Sequence, residues 1–588
     1  MSKRASSLSG ASPSKRHRGS PPFNPRKIAD ADNAAAADEQ PPMKKLVDAP
    51  CTKTPRTGES VVYWMRMGDL RVVDNKALSL ASRQAVEDGL PLIAMFVFSP
   101  QDYLAHDRGA RRIDFTIRNL VQVRQTLAQL HIPLYTVTQD ARKEVPNEVI
   151  RNLDDLSATA LYANIEYEVD ELRRDIRICE LAKSKNIATK FVHDKCVIEP
   201  GLVLTKDKRT YSVYTPYQKL WLNVLNEDVT RFLHQRQDPQ PNAESIRSSS
   251  KFGPLFDREL PSSIPGFELD EADANKMAEV WPSGETAARE ILQRFMQSKA
   301  RTSQLSAVDP LADGAEASEK QNRLAKYDKE RDRADLDTTS RISPYLAAGV
   351  ISARACIRAT LSANRDAYKP LKDGVKVDGG KTTAIGRWVQ EVAWRDFYVC
   401  ILAGFPRGRN WRGAYSPKGK VPNEKEMAKA EENIEKWKKG QTGVPIVDAG
   451  MRCLNEMGWL HNRLRMICAM FLTKDLMVDW RVGEKYFMEN LIDGDLASNN
   501  GGWQWSASTG VDPCPYFRIF NPFSQSEKAD PTGDFIRKHV PELAKLKGPD
   551  LHKPSAATAS KLGYPQAIVK HDEARQRALR RFKNPGTA

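Results

Sequence analysis

Val61-Val62-Tyr63-Trp64-Met65 and Leu92-Ile93-Ala94-Met95-Phe96-Val97-Phe98, with a helix-patterned stretch from Lys76 to Glu87 between them, decide how the N-terminal part of this 588-residue chain folds. Both runs are short, unbroken and rich in β-branched and aromatic residues, as suits strands covered on both faces. Strand, helix, strand is the unit that builds a parallel sheet. Working outward, the spacing predicts a helix from Arg111 to Leu130, a strand at Leu134-Tyr135-Thr136-Val137, and further strands at Ala160-Leu161-Tyr162-Ala163 and Lys190-Phe191-Val192. A helix from Glu171 to Ser184 lies between the last two. The reading is an α/β domain with a parallel sheet over residues 59–200.

Beyond it the pattern changes. A stretch from about 235 to 275 carries Gln, Pro, Ser and Asn, so residues 201–275 read as an interdomain linker. Helical periodicity then dominates from Lys276 to about Pro541, which predicts an all-α domain over 276–575 and a short tail over 576–588. That domain holds nine of the eleven tryptophans. Residues 1–58 are rich in Ser, Pro, Ala and charge, and are expected to be disordered. Within them Lys3-Arg4 and Lys15-Arg16-His17-Arg18 resemble a bipartite nuclear-import signal. A mitochondrial destination is the second reading, opposed by Asp30, Asp32, Asp38 and Glu39.

The net charge of +15 favours an acidic partner, nucleic acid first. The longest apolar runs fall far short of a membrane span. The eight cysteines form no CxxC pair and no zinc spacing, so they read as reduced thiols, with no metal expected.

Four constellations carry chemistry. Trp388, Glu391, Trp394 and Arg395 fall near one face of one helix, where Leu and Ile would be ordinary. Asn462, Arg465 and Met466, flanked by Arg463, repeat the arrangement on a second helix; the structural alternative pairs these arginines with Glu456 and Asp475. Tyr327 and Arg331 precede Thr338-Thr339-Ser340-Arg341-Ile342-Ser343, whose hydroxyls and N–H groups at a helix start suit a diphosphate. Asp493, Asp495 and Asn499 lie in a Gly-bracketed loop and helix start leading to Trp503 and Trp505. So many polar groups in an apolar setting need a polar ligand, and the indoles suggest a planar one.

Together with Pro515-Tyr516-Phe517-Arg518-Ile519-Phe520-Asn521-Pro522 and Tyr564-Pro565, these stretches resemble the cryptochrome/photolyase family over roughly residues 59 to 575. Within it they resemble class I cyclobutane pyrimidine dimer photolyases of fungal type. The resemblance implies a Rossmann-like antenna domain, an all-helical domain holding FAD in a U-shape, and light-driven DNA repair. It implies that Tyr327, Thr339, Ser340, Arg341, Ile342 and Ser343 hold the diphosphate side. Trp388, Glu391, Arg395, Arg465, Asp493, Asp495 and Asn499 would surround the rings. Trp394 and Trp505 would pack on a flipped-out dimer, with Glu391, Asn462 and Arg463 on its carbonyl edges and Arg331 on the DNA. Met466 stands where (6-4) photolyases and animal cryptochromes carry His, which implies cyclobutane dimers. Trp503 and Trp480 would relay electrons, but Met427 occupies the distal tryptophan position, leaving either Trp411 or Trp437 as its substitute or an impaired photoreduction. Glu171 matches a folate-contacting carboxylate, implying 5,10-methenyltetrahydrofolate as antenna. The expected partner is UV-damaged DNA, bound by a monomer with no membrane association. The alternative is a cryptochrome-type signalling photoreceptor.

Overall fold

The computed structural model describes residues 40–49, 55–301, 303, 305, 316–362, 365–372, 374–405 and 424–584. The import-like clusters and Trp411 lie outside them. The first domain is built on five parallel strands, β1 (Ser60–Met65), β2 (Leu92–Phe98), β3 (Leu134–Thr138), β4 (Ala158–Asn164) and β5 (Ala188–Val192), in the order β3-β2-β1-β4-β5. Helices Lys76–Asp88, Ala110–Gln129, Val145–Asp155 and Val169–Ser184 make the crossovers. β1 is buried along its whole length because it sits in the sheet centre between β2 and β4. The strand order reverses between β1 and β4, and such a reversal opens a crevice at the carboxyl ends of the strands. Every strand read from the sequence is present; the helix Val145–Asp155 was not anticipated.

Three boundaries differ from the sequence reading. First, the tail expected to be disordered contains a helix, α1 (Pro42–Val47), whose Leu46 is buried with Tyr167 and Leu172. Two apolar side chains, Met43 and Leu46, suffice to dock it. Arg56 also leaves the tail class, donating to the Ala158 carbonyl at 2.9 Å and to Asp154 at 2.7 Å. Second, the linker is largely packed. Its helix Tyr214–Glu227 buries Tyr214, Tyr217 and Trp221 at helical spacing, and Trp221 donates to Asp396 Oδ2 at 3.1 Å. Asn242 returns the chain to the sheet by bonding both the N–H and the carbonyl of Leu92. Third, the C-terminal residues up to Lys583 belong to a helix, α7 (His571–Lys583), not a tail. Its Ala578 and Phe582 are buried, and the Lys474 ammonium lies 3.4 Å from the centre of the Phe582 ring.

The second domain is helical. Five helices matter for the site: α2 (Ala384–Gly404), α3 (Glu424–Lys438), α4 (Asn462–Met470), α5 (Trp480–Asn490) and α6 (Leu496–Ser506). Charges as well as apolar contacts close the seam with the sheet domain. Buried Asp74 meets Arg354 and Arg358, and buried Asp194 meets Arg71 and Arg354. At Gly349, in the left-handed region with φ +66°, a Cβ would come within 1.8 Å of the Gly68 carbonyl oxygen, so only glycine allows the approach. Among the described residues, no helix is long and apolar enough to cross a membrane, and all seven described cysteines are free and buried.

Candidate active site

The Thr383 hydroxyl caps α2 by accepting from the Gly386 N–H at 3.1 Å. One turn later, the buried Trp388 ring packs 4.7 Å from Phe295 and 5.8 Å from Tyr327, centroid to centroid. Glu391 follows on the same face and is ion-paired with Arg331. Trp394 comes next, stacked on Tyr214 at 3.5 Å and 9°. Burial pushes the Glu391 carboxyl above its ordinary range, with the Arg331 guanidinium opposing the shift. Its setting is therefore not simply apolar, as the sequence suggested; a guanidinium faces it. Arg395 points away from this face and donates to the Lys195 carbonyl at 2.5 Å and the Leu346 carbonyl at 3.2 Å.

α4 is joined to α2 through the adjacent residues Arg331 and Asp332, which pair with Glu391 and Arg463. His461 caps it, Nδ1 accepting from the Arg463 N–H at 3.2 Å, and burial lowers the imidazole to about 4, leaving it neutral. Asn462 is exposed, its amide nitrogen 3.8 Å from Met466 Sδ. Arg463 donates to Asp332 at 2.5 Å. Arg465 bridges the Leu460 carbonyl and Asp493, both at 2.7 Å. The structural alternative fails: Glu456 pairs with Lys276 and His539, and Asp475 with His571.

Asp495 caps α6, accepting from the Ser498 N–H at 2.9 Å, and meets Lys195 at 2.5 Å. Burial disfavours its charge, but Lys195 and Arg395 outweigh that and hold the carboxyl well below the usual range. Asn499 donates to the Glu484 carbonyl at 2.9 Å. Trp503 packs closely against α5 because residue 483 is glycine; a Cβ there would sit 2.1 Å from the edge of the indole. Trp480 is buried at the start of α5, and Trp505 is half-buried. The Trp503 ring meets Trp437 at 6.2 Å and 74°, centroid to centroid. Met427, at the distal tryptophan position, is 44% exposed on α3.

The Thr338–Ser343 segment fits the sequence reading only in part. Ser343 Oγ accepts from the Trp459 indole at 3.0 Å and keeps its own proton to donate. Thr339 borders a small cavity with His461, Trp459 and Arg341, and Ser340 Oγ lies 3.4 Å from the Ile342 N–H. Arg341, expected as a cofactor ligand, is instead committed to Asp337 at 3.1 Å and lies over the Trp459 ring. Ile342 is buried in the core. Glu171 is buried in the sheet domain, 2.7 Å from His106 Nε2. It lines a cavity of about 50 Å³ beyond the ends of β1 and β2, with Arg66, Tyr103 and Arg174.

Trp388 Nε1, His461 Nε2 and Asp493 Oδ1 are buried with no protein partner. Unsatisfied buried donors and acceptors are rare in folded proteins. An indole donor, a neutral imidazole and a carboxylate oxygen, flanked by aromatic rings, fit a planar ligand that both accepts and donates hydrogen bonds. FAD has that chemistry. Residues 388–584 match the family described as the FAD binding domain of DNA photolyase, and residues 61–240 match that described as DNA photolyase.

The chain belongs to the DNA photolyase family.

It is 38% identical to the deoxyribodipyrimidine photo-lyase of Neurospora crassa, the match covering 89% of this chain and 82% of that protein. It is 34% identical to that of Escherichia coli, over 89% and 98%. The mitochondrial deoxyribodipyrimidine photo-lyase of Saccharomyces cerevisiae is 33% identical, over 89% and 86%. Among solved structures, a class III photolyase from Agrobacterium tumefaciens superposes with a TM-score of 0.69 at 28% identity, covering 90% of this chain and 98% of that one. In this family member, sequence reasoning missed Tyr214, Asp332, Trp459 and His461. His461 opens the His461-Asn462-Arg463 motif but was given no role, and Trp459 could have been found by extending that motif two residues. Tyr214 lay in a stretch read as linker, and Asp332 carried no signal.

Proposed function

We propose that this chain is a light-dependent DNA repair enzyme that splits cyclobutane pyrimidine dimers flipped out of the duplex. The observation that carries the reading is the link between two helices, α2 with Glu391 and Trp394 and α4 with Asn462 and Met466, which are tied to one another through Arg331–Glu391 and Arg463–Asp332. FAD, when bound and fully reduced, supplies the light-excited electron that opens the dimer and takes it back. The protein residues bind, orient and polarise. Trp394 and Trp505 offer flat faces to extruded bases, whose stacking on such rings is sequence-tolerant. Asn462 and Arg463 donate to pyrimidine carbonyls, and Glu391, whose carboxyl burial pushes above its ordinary range against the opposing Arg331 guanidinium, donates in its protonated form to the carbonyl that gains charge. Trp388, Arg465, Asp493, Asp495 and Asn499 hold the flavin rings, and Tyr327, Thr339, Ser340 and Ser343 its diphosphate. Arg395 acts at one remove, by bracing Lys195, which in turn holds Asp495.

Met466 leaves no imidazole to protonate a lesion at that position, which favours the cyclobutane dimer over the (6-4) product. Methenyltetrahydrofolate is proposed as antenna, with Glu171 as contact; its carboxylate would have to exchange His106 for the pterin. UV-damaged DNA is the partner, a monomer the functional unit, and the nucleus the main destination, with the mitochondrion second. The deciding test is blue-light repair by chemically prereduced protein on DNA bearing one defined lesion. Reversal of the cyclobutane dimer alone is expected. No reversal of either lesion with reduced FAD bound would transfer the chain to the signalling photoreceptors.

A further inference from the structure

A second cavity, of about 300 Å³, lies at the seam between the two domains and shares no residue with the site above. Lys76 of the first crossover helix, Arg231 and Arg236 of the linker, and Arg354 of the helical domain line it, with His193 and Glu199. The positive charge is poorly matched. Arg354 is buried and neutralised behind the wall by Asp74 and Asp194, but Glu199 reaches Lys76 only at 3.6 Å. Arg236 Nε is buried with no partner. Among the described residues no carboxylate pairs with the Arg231 or Arg236 guanidinium. Burial lowers the Lys76 and Arg236 pKa values, and neighbouring guanidinium groups add to the shift. Burying like charges together is costly, and a protein relieves that cost with an anion.

We propose that this cavity binds a multiply charged phosphate compound of pyrophosphate or nucleotide size. The chemistry selects phosphate over a simple carboxylate. Two guanidinium forks and an ammonium converge, and guanidinium groups pair with phosphate oxygens two at a time. A single carboxylate would leave most of the donors unused, while Glu199 repels a monoanion as strongly as it repels each charge of a polyanion. Because Lys76 comes from one domain and Arg354 from the other, with the linker arginines between them, a bound phosphate would also clamp the seam.

The test is calorimetric titration of the FAD-loaded protein with pyrophosphate, the flavin's own diphosphate site being filled. One saturable site per chain is expected, accompanied by a rise in the thermal midpoint. Lys76→Gln and Arg236→Gln should each weaken binding at least about tenfold, the worth of one charge-assisted hydrogen bond. Arg231→Gln, exposed and unable to disturb the core, should weaken it in the same direction. Dimer repair by all three variants should match that of the parent protein. Absence of saturable binding, or equal binding by the parent and the three variants, would overturn the proposal and reduce the cavity to part of a diffusely basic surface.

Discussion

Arg463 Nη2 lies 2.5 Å from Asp332 Oδ2, while Arg331, the residue before Asp332, pairs with Glu391. Two adjacent residues of one short segment thus hold a carboxylate on α2 and a guanidinium on α4, and the segment sets the distance between the walls. Arg463 must leave Asp332, at least in part, to meet DNA. Arg463→Ala is therefore expected to weaken binding to dimer-containing DNA by about 1.5–3 kcal/mol, and Asp332→Asn to strengthen it. Binding isotherms at several salt concentrations check both, with a shallower salt slope for Arg463→Ala.

Glu391→Ala should lower the repair yield by at least about tenfold, as for removal of one preorganised donor, while FAD content stays unchanged. The raised pKa gives the sign of the pH effect: a protonated carboxyl is lost as pH rises through its folded value, so repair should decline on the alkaline side. Glu391→Gln should flatten that limb. Loss of flavin from Glu391→Ala would instead make the residue a structural one.

Flavin photoreduction should be slow, because Met427 stands at the distal tryptophan position. The available continuation is Trp437, 6.2 Å from Trp503, and then Tyr486, 5.7 Å from Trp437. Trp437→Phe should slow photoreduction further, and Met427→Trp should accelerate it, with repair by prereduced protein the same in both. Transient absorption checks this; photoreduction that is fast in Trp437→Phe would exclude the route.

Asp74 is the hub of the domain seam, bonded to Ser352 at 2.5 Å and to Arg358 at 3.0 Å. Asp74→Ala leaves two buried guanidinium groups short of charge and should cost about 3–5 kcal/mol of stability. Burial opposes the charge of Asp74, but Arg354 and Arg358 depress its pKa strongly. Its contribution is therefore present above the unfolded value of about 4 and lost as pH falls below it. Denaturant titrations at pH 7 and pH 3 should show the gap between variant and parent closing.

Lys474 is buried beneath α7, and burial lowers its pKa to about 7. The unfolded chain then binds more protons between about pH 7 and 10, so this group makes stability rise with pH over that window. In Lys474→Met that slope should vanish, and the variant should gain most relative to the parent below pH 7. Melting midpoints across the range test it.

The polar residues on α2 and α4 were legible because a helix face that mixes indoles, a carboxylate and guanidinium groups is costly unless something binds there. Trp388, Glu391, Trp394, Asn462, Arg463 and Arg465 are all singled out on that ground. The pairing of Arg341 with Asp337 was not legible, because composition does not say which of its contacts forms. The helix Val145–Asp155 was passed over although it completes the crossover from β3 to β4.

The sequence by itself determined the parallel sheet, the helical second domain and the family, since these follow from local periodicity and from motifs contiguous in the chain. Only the tertiary structure decided that Met43 and Leu46 dock the tail, that Tyr214 stacks on Trp394, and that Asp332 and Arg331 join the two walls. Those contacts bring together residues 60 to 180 positions apart in the last two cases, and their energy depends on burial and geometry that exist only once the domains have packed.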